Sequence, residues 1–137
     1  MSLDINKLSV GDIIPEIKFD EVTQVQLIKY AGAAGDFNPI HTVPSYAKEA
    51  GLDGTIAHGM LIMGMLGKLI SDWSGIKHVT KYGVSFKSKT VPGDTLIAKG
   101  EIKKITPGDG FSLVDCKVYI EDTSGDVKVD GKVTIKL

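Results

Sequence analysis

Apolar positions recur with two different periods along this chain, and the change falls near residue 76. Before it, the spacing is helical. Thr23 and Gln26 form a capping-box pattern, and Leu27, Ile28 and Ala31 then share one helical face, with a stop expected near Gly32. Pro44 suits the first turn of a second short helix through Tyr46, Ala47 and Ala50, ended by Gly51. A third helix is expected from near His58. From Met60 to Trp73 its apolar residues fall on nearly every face, which predicts burial on most sides. Gly59, Gly64 and Gly67 interrupt it. Each costs about 1 kcal/mol of helix propensity against alanine, a cost that suits a helix whose backbone must closely approach a sheet, a partner or a ligand.

From Ile76 the period is two: Ile76, His78, Thr80, Tyr82, Val84 and Phe86 alternate with mostly polar residues. Turns at Pro92-Gly93-Asp94, Pro107-Gly108-Asp109-Gly110 and Thr123-Ser124-Gly125-Asp126 separate three further strands. Leu96, Ala98 and Ile102 mark the first of these. Val114, Cys116, Val118 and Ile120 form one face of the next. Val127, Val129, Val133 and Ile135 alternate in the last with Lys128, Asp130, Lys132 and Thr134. Near the start, Ile13, Ile14, Ile17 and Phe19 around Pro15 read as a short strand or an extended arm. Helices first and hairpin-connected strands afterwards predict an α+β fold, an antiparallel sheet curled around the long apolar helix.

The totals restrict the function classes. A chain of 137 residues fits one domain with its own core, and no repeat or linker divides it. Sixteen basic and 17 acidic residues, net charge −1, leave no electrostatic footprint for a nucleic-acid backbone or an anionic membrane. The longest uncharged apolar run, Gly59 to Gly67, has nine residues, against the roughly 20 needed to span a bilayer. A soluble protein is expected. Cys116 is the single cysteine, and no basic-then-apolar leader opens the chain, which predicts a reduced, cytoplasmic setting.

Candidate chemistry concentrates in Gly35-Asp36-Phe37-Asn38-Pro39-Ile40-His41. Pro39 disfavours helical backbone at Asn38, so Asp36 and His41 belong to a bend that can aim a carboxylate and an imidazole at one water. The same residues also suit a polar turn with Asx-type hydrogen bonds, and spacing does not choose between the two. Among the other candidates, His58 reads as a capping or packing residue at a helix start, with catalysis the lesser reading. His78 reads as a half-buried strand residue, and Cys116 as a small buried hydrophobe rather than a nucleophile. Asp36, His41 and His58 match no familiar zinc spacing, so no metal is expected. Nucleophile elbow, phosphate-cradling loop and dinucleotide fingerprint are all missing from the sequence.

The Gly35 to His41 run, the helix introduced by Ala57-His58-Gly59-Met60 and the segment Val91-Pro92-Gly93-Asp94-Thr95-Leu96 together resemble the MaoC-like family of hot-dog fold proteins. That family includes (R)-specific enoyl-CoA hydratases and 3-hydroxyacyl-thioester dehydratases. Its pattern of Gly-Asp, any residue, Asn-Pro, an aliphatic and His is met at every position, and Ala47 fits a further alanine. The resemblance implies one hot-dog domain over residues 1–137 and reversible hydration of trans-2-enoyl thioesters to (R)-3-hydroxyacyl thioesters, without a cofactor. It implies Asp36 and His41 as the acid–base pair on a bound water; His41 is the preferred proton acceptor and Asp36 the preferred donor to C2, with the reverse left open. It also points to the Gly59 N–H as the donor to the thioester oxygen, Asn38 as a support of the loop or of His41, and Phe37 and Ile40 as a screen against bulk water. The partners implied are a coenzyme A or acyl-carrier-protein thioester and a second copy of the chain, a heterodimer being the variant. Lys81, Lys87 and Lys89 are candidates for meeting the carrier and equally for ordinary solvated residues. Two other readings stay open: a thioesterase on the same scaffold, and a non-catalytic acyl-thioester-binding subunit.

Overall fold

The computed structural model describes residues 2–137. Strand β1 (Ile13–Lys18) leads to helix α1 (Gln24–Ala34), a 3-10 turn (Pro39–His41), helix α2 (Pro44–Glu49) and helix α3 (Gly59–Ser74). Strands β2 (Val79–Phe86), β3 (Leu96–Pro107), β4 (Ser112–Asp122) and β5 (Val127–Lys136) follow. All pairings are antiparallel, in the order β1-β3-β4-β5-β2, which leaves β1 and β2 at the edges.

Helix α3 touches every strand of this sheet. Ile62, Met65, Leu66, Leu69 and Ile70 on the helix meet Ile14, Ala98, Ile102, Val114, Cys116, Val118, Val133 and Ile135 from the strands in one buried cluster. The predicted sheet around a central helix is therefore present, with one correction. Met60 is 59% exposed, and Gly64, Lys68 and Asp72 extend that uncovered stripe at four-residue intervals. The helix is covered by the sheet on one side and leaves a second side open. A groove of about 580 Å³ runs there, between Phe19, Tyr30, Met60, Leu61 and Met65.

Other boundaries shift for local reasons. Helix α1 runs past Gly32 to Ala34 and is stopped by Gly35, whose φ of 72° is a left-handed cap that glycine adopts without strain. Ile28 is exposed, so the buried face of α1 is Leu27 and Ala31. Thr23 accepts from the Gln26 N–H as the capping pattern requires. Ile76 to His78 form a 3-10 turn rather than strand, and Ile76 is exposed. His78 is partly buried, and its Nδ1–H donates to the Lys136 carbonyl at 2.9 Å. Cys116 is buried in the core, where desolvation pushes its thiol up to about 12; at neutral pH it is a packing atom.

Lys128 departs most from its pattern. Although it falls in the polar phase of its strand, it is buried, with its ammonium 2.9 Å from Asp126, 3.4 Å from Asp122 and 3.7 Å from Asp94. It also donates to the Lys89 carbonyl at 3.1 Å. Burial opposes the charge, and the three carboxylates outweigh it, holding the lysine above its ordinary value. The knot ties the β4–β5 turn to the segment between β2 and β3. Within it, the Ser124 hydroxyl, backbone amides and Lys128 hold Asp122 down at about 2, against some desolvation. A carboxyl lowered by folding stabilises the native state above its unfolded value of 3.8 and loses that contribution as pH falls toward about 2. Asp122→Asn is thus expected to be less stable than wild type at pH 7. The gap in urea midpoint should close between about pH 4 and about pH 2; a gap that stays constant over that range would contradict the assignment.

Candidate active site

The Gly35 to His41 bend is fastened from three directions. Locally, Asp36 Oδ1 accepts from the Asn38 N–H at 3.3 Å, and Asn38 Oδ1 accepts from the Ile40 N–H at 3.2 Å. Asn38 therefore caps the 3-10 turn, and its side chain makes no hydrogen bond to the His41 ring. From α1, Gln24 Nε2 donates to the His41 carbonyl at 2.8 Å, and the Thr55 hydroxyl donates to Gln24 Oε1. From the segment leading into α3, the Ile56 N–H donates to the Ile40 carbonyl at 3.1 Å. Sequence reading found neither Gln24 nor Thr55, since a glutamine on a helix and a threonine in a loop carry no spacing signal.

These ties bury His41 to 7% exposure and set its tautomer. Its Nδ1 lies 2.7 Å from the Ile56 carbonyl, and a carbonyl only accepts, so Nδ1 carries the proton. In the neutral ring Nε2 is then the free lone pair, and it faces Asp36 Oδ2 at 3.9 Å. That separation exceeds a hydrogen bond, and a water lying to one side of the pair can reach both atoms at hydrogen-bond distance. The Asp36 side chain is 52% exposed, so the pair sits at a mouth open to solvent. Phe37 is 70% exposed, which removes it from the water-excluding wall expected of it in this chain. Ile40 is partly buried.

The first amides of α3, Gly59 and Met60 among them, lack intrahelical acceptors and sit at the positive end of the helix dipole. An open cleft of about 280 Å³ lies beside Gly59, walled by Ala57, Ile62, Phe86, Thr90 and Val129. A Cβ on Gly59 would come 3.0 Å from the Phe86 ring. A larger depression, about 970 Å³, lies elsewhere, over Lys81, Gly83, Lys117 and Lys132 on the sheet. It contains none of these groups, and its lysines interleave with Asp115 and Asp130. Size is a poorer guide to chemistry here than the convergence of unpaired donors and acceptors.

His58 precedes α3 but makes no side-chain cap. It is buried at 2% exposure and lies in the site. Its Nε2 donates to the Asp36 carbonyl at 3.1 Å, and its ring stacks on His41 with centroids 3.7 Å apart. Ligand atoms of Asp36, His41 and His58 fall within 4.8 Å of one another. The stacked rings, 24° from parallel, hold their in-plane lone pairs side by side rather than converging on one point. A metal ion bound in the plane of both imidazoles does not fit that arrangement.

Residues 11–123 match the family described as MaoC like domain, and the chain belongs to that family. Over 107 residues, 76% of this chain, it is 34% identical to fatty acid synthase subunit beta of Gibberella zeae. It spans only 5% of that much longer protein. It is 25% identical over 114 residues to the (R)-specific enoyl-CoA hydratase of Aeromonas caviae, covering 82% of this chain and 84% of the hydratase. The solved structure of the (R)-hydratase from A. caviae superposes with a TM-score of 0.83 at 23% identity, over 96% of this chain and 98% of that one. That likeness establishes the hot-dog fold.

Proposed function

We propose that the protein reversibly hydrates trans-2-enoyl thioesters to (R)-3-hydroxyacyl thioesters. The observation that carries this is the free Nε2 of His41 facing the Asp36 carboxyl at 3.9 Å, close enough for one water beside them to touch both, near the unpaired amides of α3. In the hydration direction, His41 Nε2 takes a proton from water as its oxygen bonds to C3. Asp36 delivers a proton to C2, and transfer from His41 back to Asp36 restores the starting forms. Positioned acid and base groups each contribute roughly a hundredfold or more. The thioester oxygen gains negative charge on the way, and the Gly59 N–H meets it where helix dipole and unpaired amide both favour an anion. Membership in a family with hydratase and dehydratase relatives supports this reading over thioester hydrolysis.

The test is hydration of trans-2-enoyl-CoA substrates from about four to twelve carbons, a range that spans short and lipid-like tails, with the handedness of the product determined. Formation of the (R)-3-hydroxyacyl product is expected. Release of free thiol without hydration would make the protein a thioesterase, and binding without turnover a non-catalytic subunit. Gly59→Ala is expected to lower turnover at least tenfold with little loss of stability, because the new methyl meets only the side chain of Phe86, a residue more than half exposed whose ring can move aside. Unchanged turnover with a lower melting temperature would make Gly59 a packing residue.

A dimer completes the proposal. Strand β2 is an unpaired sheet edge, and the α1–α3 groove exposes apolar surface at Met60. A second copy would cover both and roof the groove for the acyl chain. Sedimentation of a monomer at micromolar concentration would count against this arrangement.

A further inference from the structure

We propose that His58 is a positioning residue that locks the acid and the base of the site to each other. This rests on the reading of Asp36 and His41 as the proton-transfer pair. Asp36 and its neighbour Phe37 are exposed, and among the described residues the Asp36 carboxylate accepts only from the Asn38 N–H. What anchors its backbone from the protein interior is the His58 Nε2–H on its carbonyl. The same imidazole stacks on His41, and Tyr30 meets it edge-on, with ring centroids 4.8 Å apart and planes 66° from parallel. One buried ring thus fixes the backbone under the acid and the plane of the base.

The protonation pattern of the ring serves the same purpose. Donation to a carbonyl places the proton on Nε2, and Nδ1 is buried with no hydrogen-bond partner. An orphaned buried lone pair costs stability, and a residue chosen for capping would have spent it on the amides of α3; His58 does not. The stacked geometry gives that cost a return. When His41 takes a proton from water, its positive charge develops against the face of the neutral His58 ring, centroids 3.7 Å apart, and that ring's electrons polarise toward the charge. Since the contact strengthens as charge appears, it acts on the transition state more than on bound substrate, so its loss lowers kcat rather than raising KM.

The experiment compares His58→Asn and His58→Phe with wild type in trans-2-enoyl-CoA hydration, alongside melting temperatures. Asparagine is among the best helix N-caps, so it rescues a structural role at the start of α3 while removing both the stack and the long reach to Asp36. Phenylalanine retains the stack and volume but loses the donor to Asp36. The expected result is a fall in kcat of at least tenfold for each, with KM within about twofold. A kcat within threefold of wild type in either folded variant overturns the proposal, and so does a loss that appears only in KM. Should one variant not fold, the other decides alone. His41→Gln and Asp36→Asn run in the same assay report on the underlying reading: if they hydrate as wild type does, that reading fails whatever His58 does.

Discussion

His41→Gln is expected to reduce hydration of a crotonyl-type thioester by roughly a hundredfold to ten-thousandfold, the range for removing a positioned general base, in a protein that still folds. Glutamine keeps an amide that can donate toward the Ile56 carbonyl, so the buried acceptor is not abandoned. It lacks a lone pair basic enough to hold a proton from water. Asp36→Asn should cause a loss of the same order by the complementary route. Its amide oxygen can still accept from the Asn38 N–H and preserve the bend, but it has no acidic proton to deliver to C2. Steady-state kinetics on both variants, with folding checked by circular dichroism, make the comparison. Activity within threefold of wild type in either would remove that residue from the chemistry.

The largest stability effect is expected at Gly131, on β5 opposite Val84 of the edge strand β2. A methyl there would fall on the Gly83 carbonyl oxygen and lie 2.8 Å from Val84 Cγ1 and 3.0 Å from its Cα. Two of these three contacts are backbone, which cannot swing aside as a side-chain end does. The strand itself has to separate. Overpacking ordinarily costs about 1–3 kcal/mol, and a backbone collision belongs at the upper end. Gly131→Ala should therefore lower the melting temperature by about 10 °C in a domain of this size. Because β2 also carries Phe86, which lies over Gly59, and Tyr82, whose hydroxyl donates to the Met63 carbonyl of α3 at 2.8 Å, activity should fall with stability. A melting temperature within about 2 °C of wild type would show that β2 and β5 are not held this closely, since a clash of that cost cannot be hidden in so small a shift.

Much of this molecule could be read along the chain. The change from helical to alternating spacing near residue 76 separates the helices from the four C-terminal strands, because periodicity is a local consequence of backbone geometry. The bend holding Asp36 and His41 was equally legible: Pro39 and Gly35 restrict or permit conformations at their own positions and their immediate neighbours. Patterning misled where burial depends on what lies opposite. Nearly all faces of α3 are apolar, yet the Met60, Gly64, Lys68 side is uncovered, since the sheet reaches only one side of a helix in a single copy. Lys128 occupies a polar phase and is nonetheless buried, because Asp94, Asp122 and Asp126 arrive from two turns to surround it.

The residue types of the site, and the turn that carries two of them, were determined by the sequence by itself. Only the tertiary structure decided which atoms are free to react. The His41 tautomer is set by a carbonyl 15 positions away, its backbone is held by a glutamine 17 positions back, and Asp36 is tied to a histidine 22 positions on. A hydrogen bond between segments so far apart imposes no period on the residues between them, so its effect on proton placement becomes visible only when the chain has closed on itself.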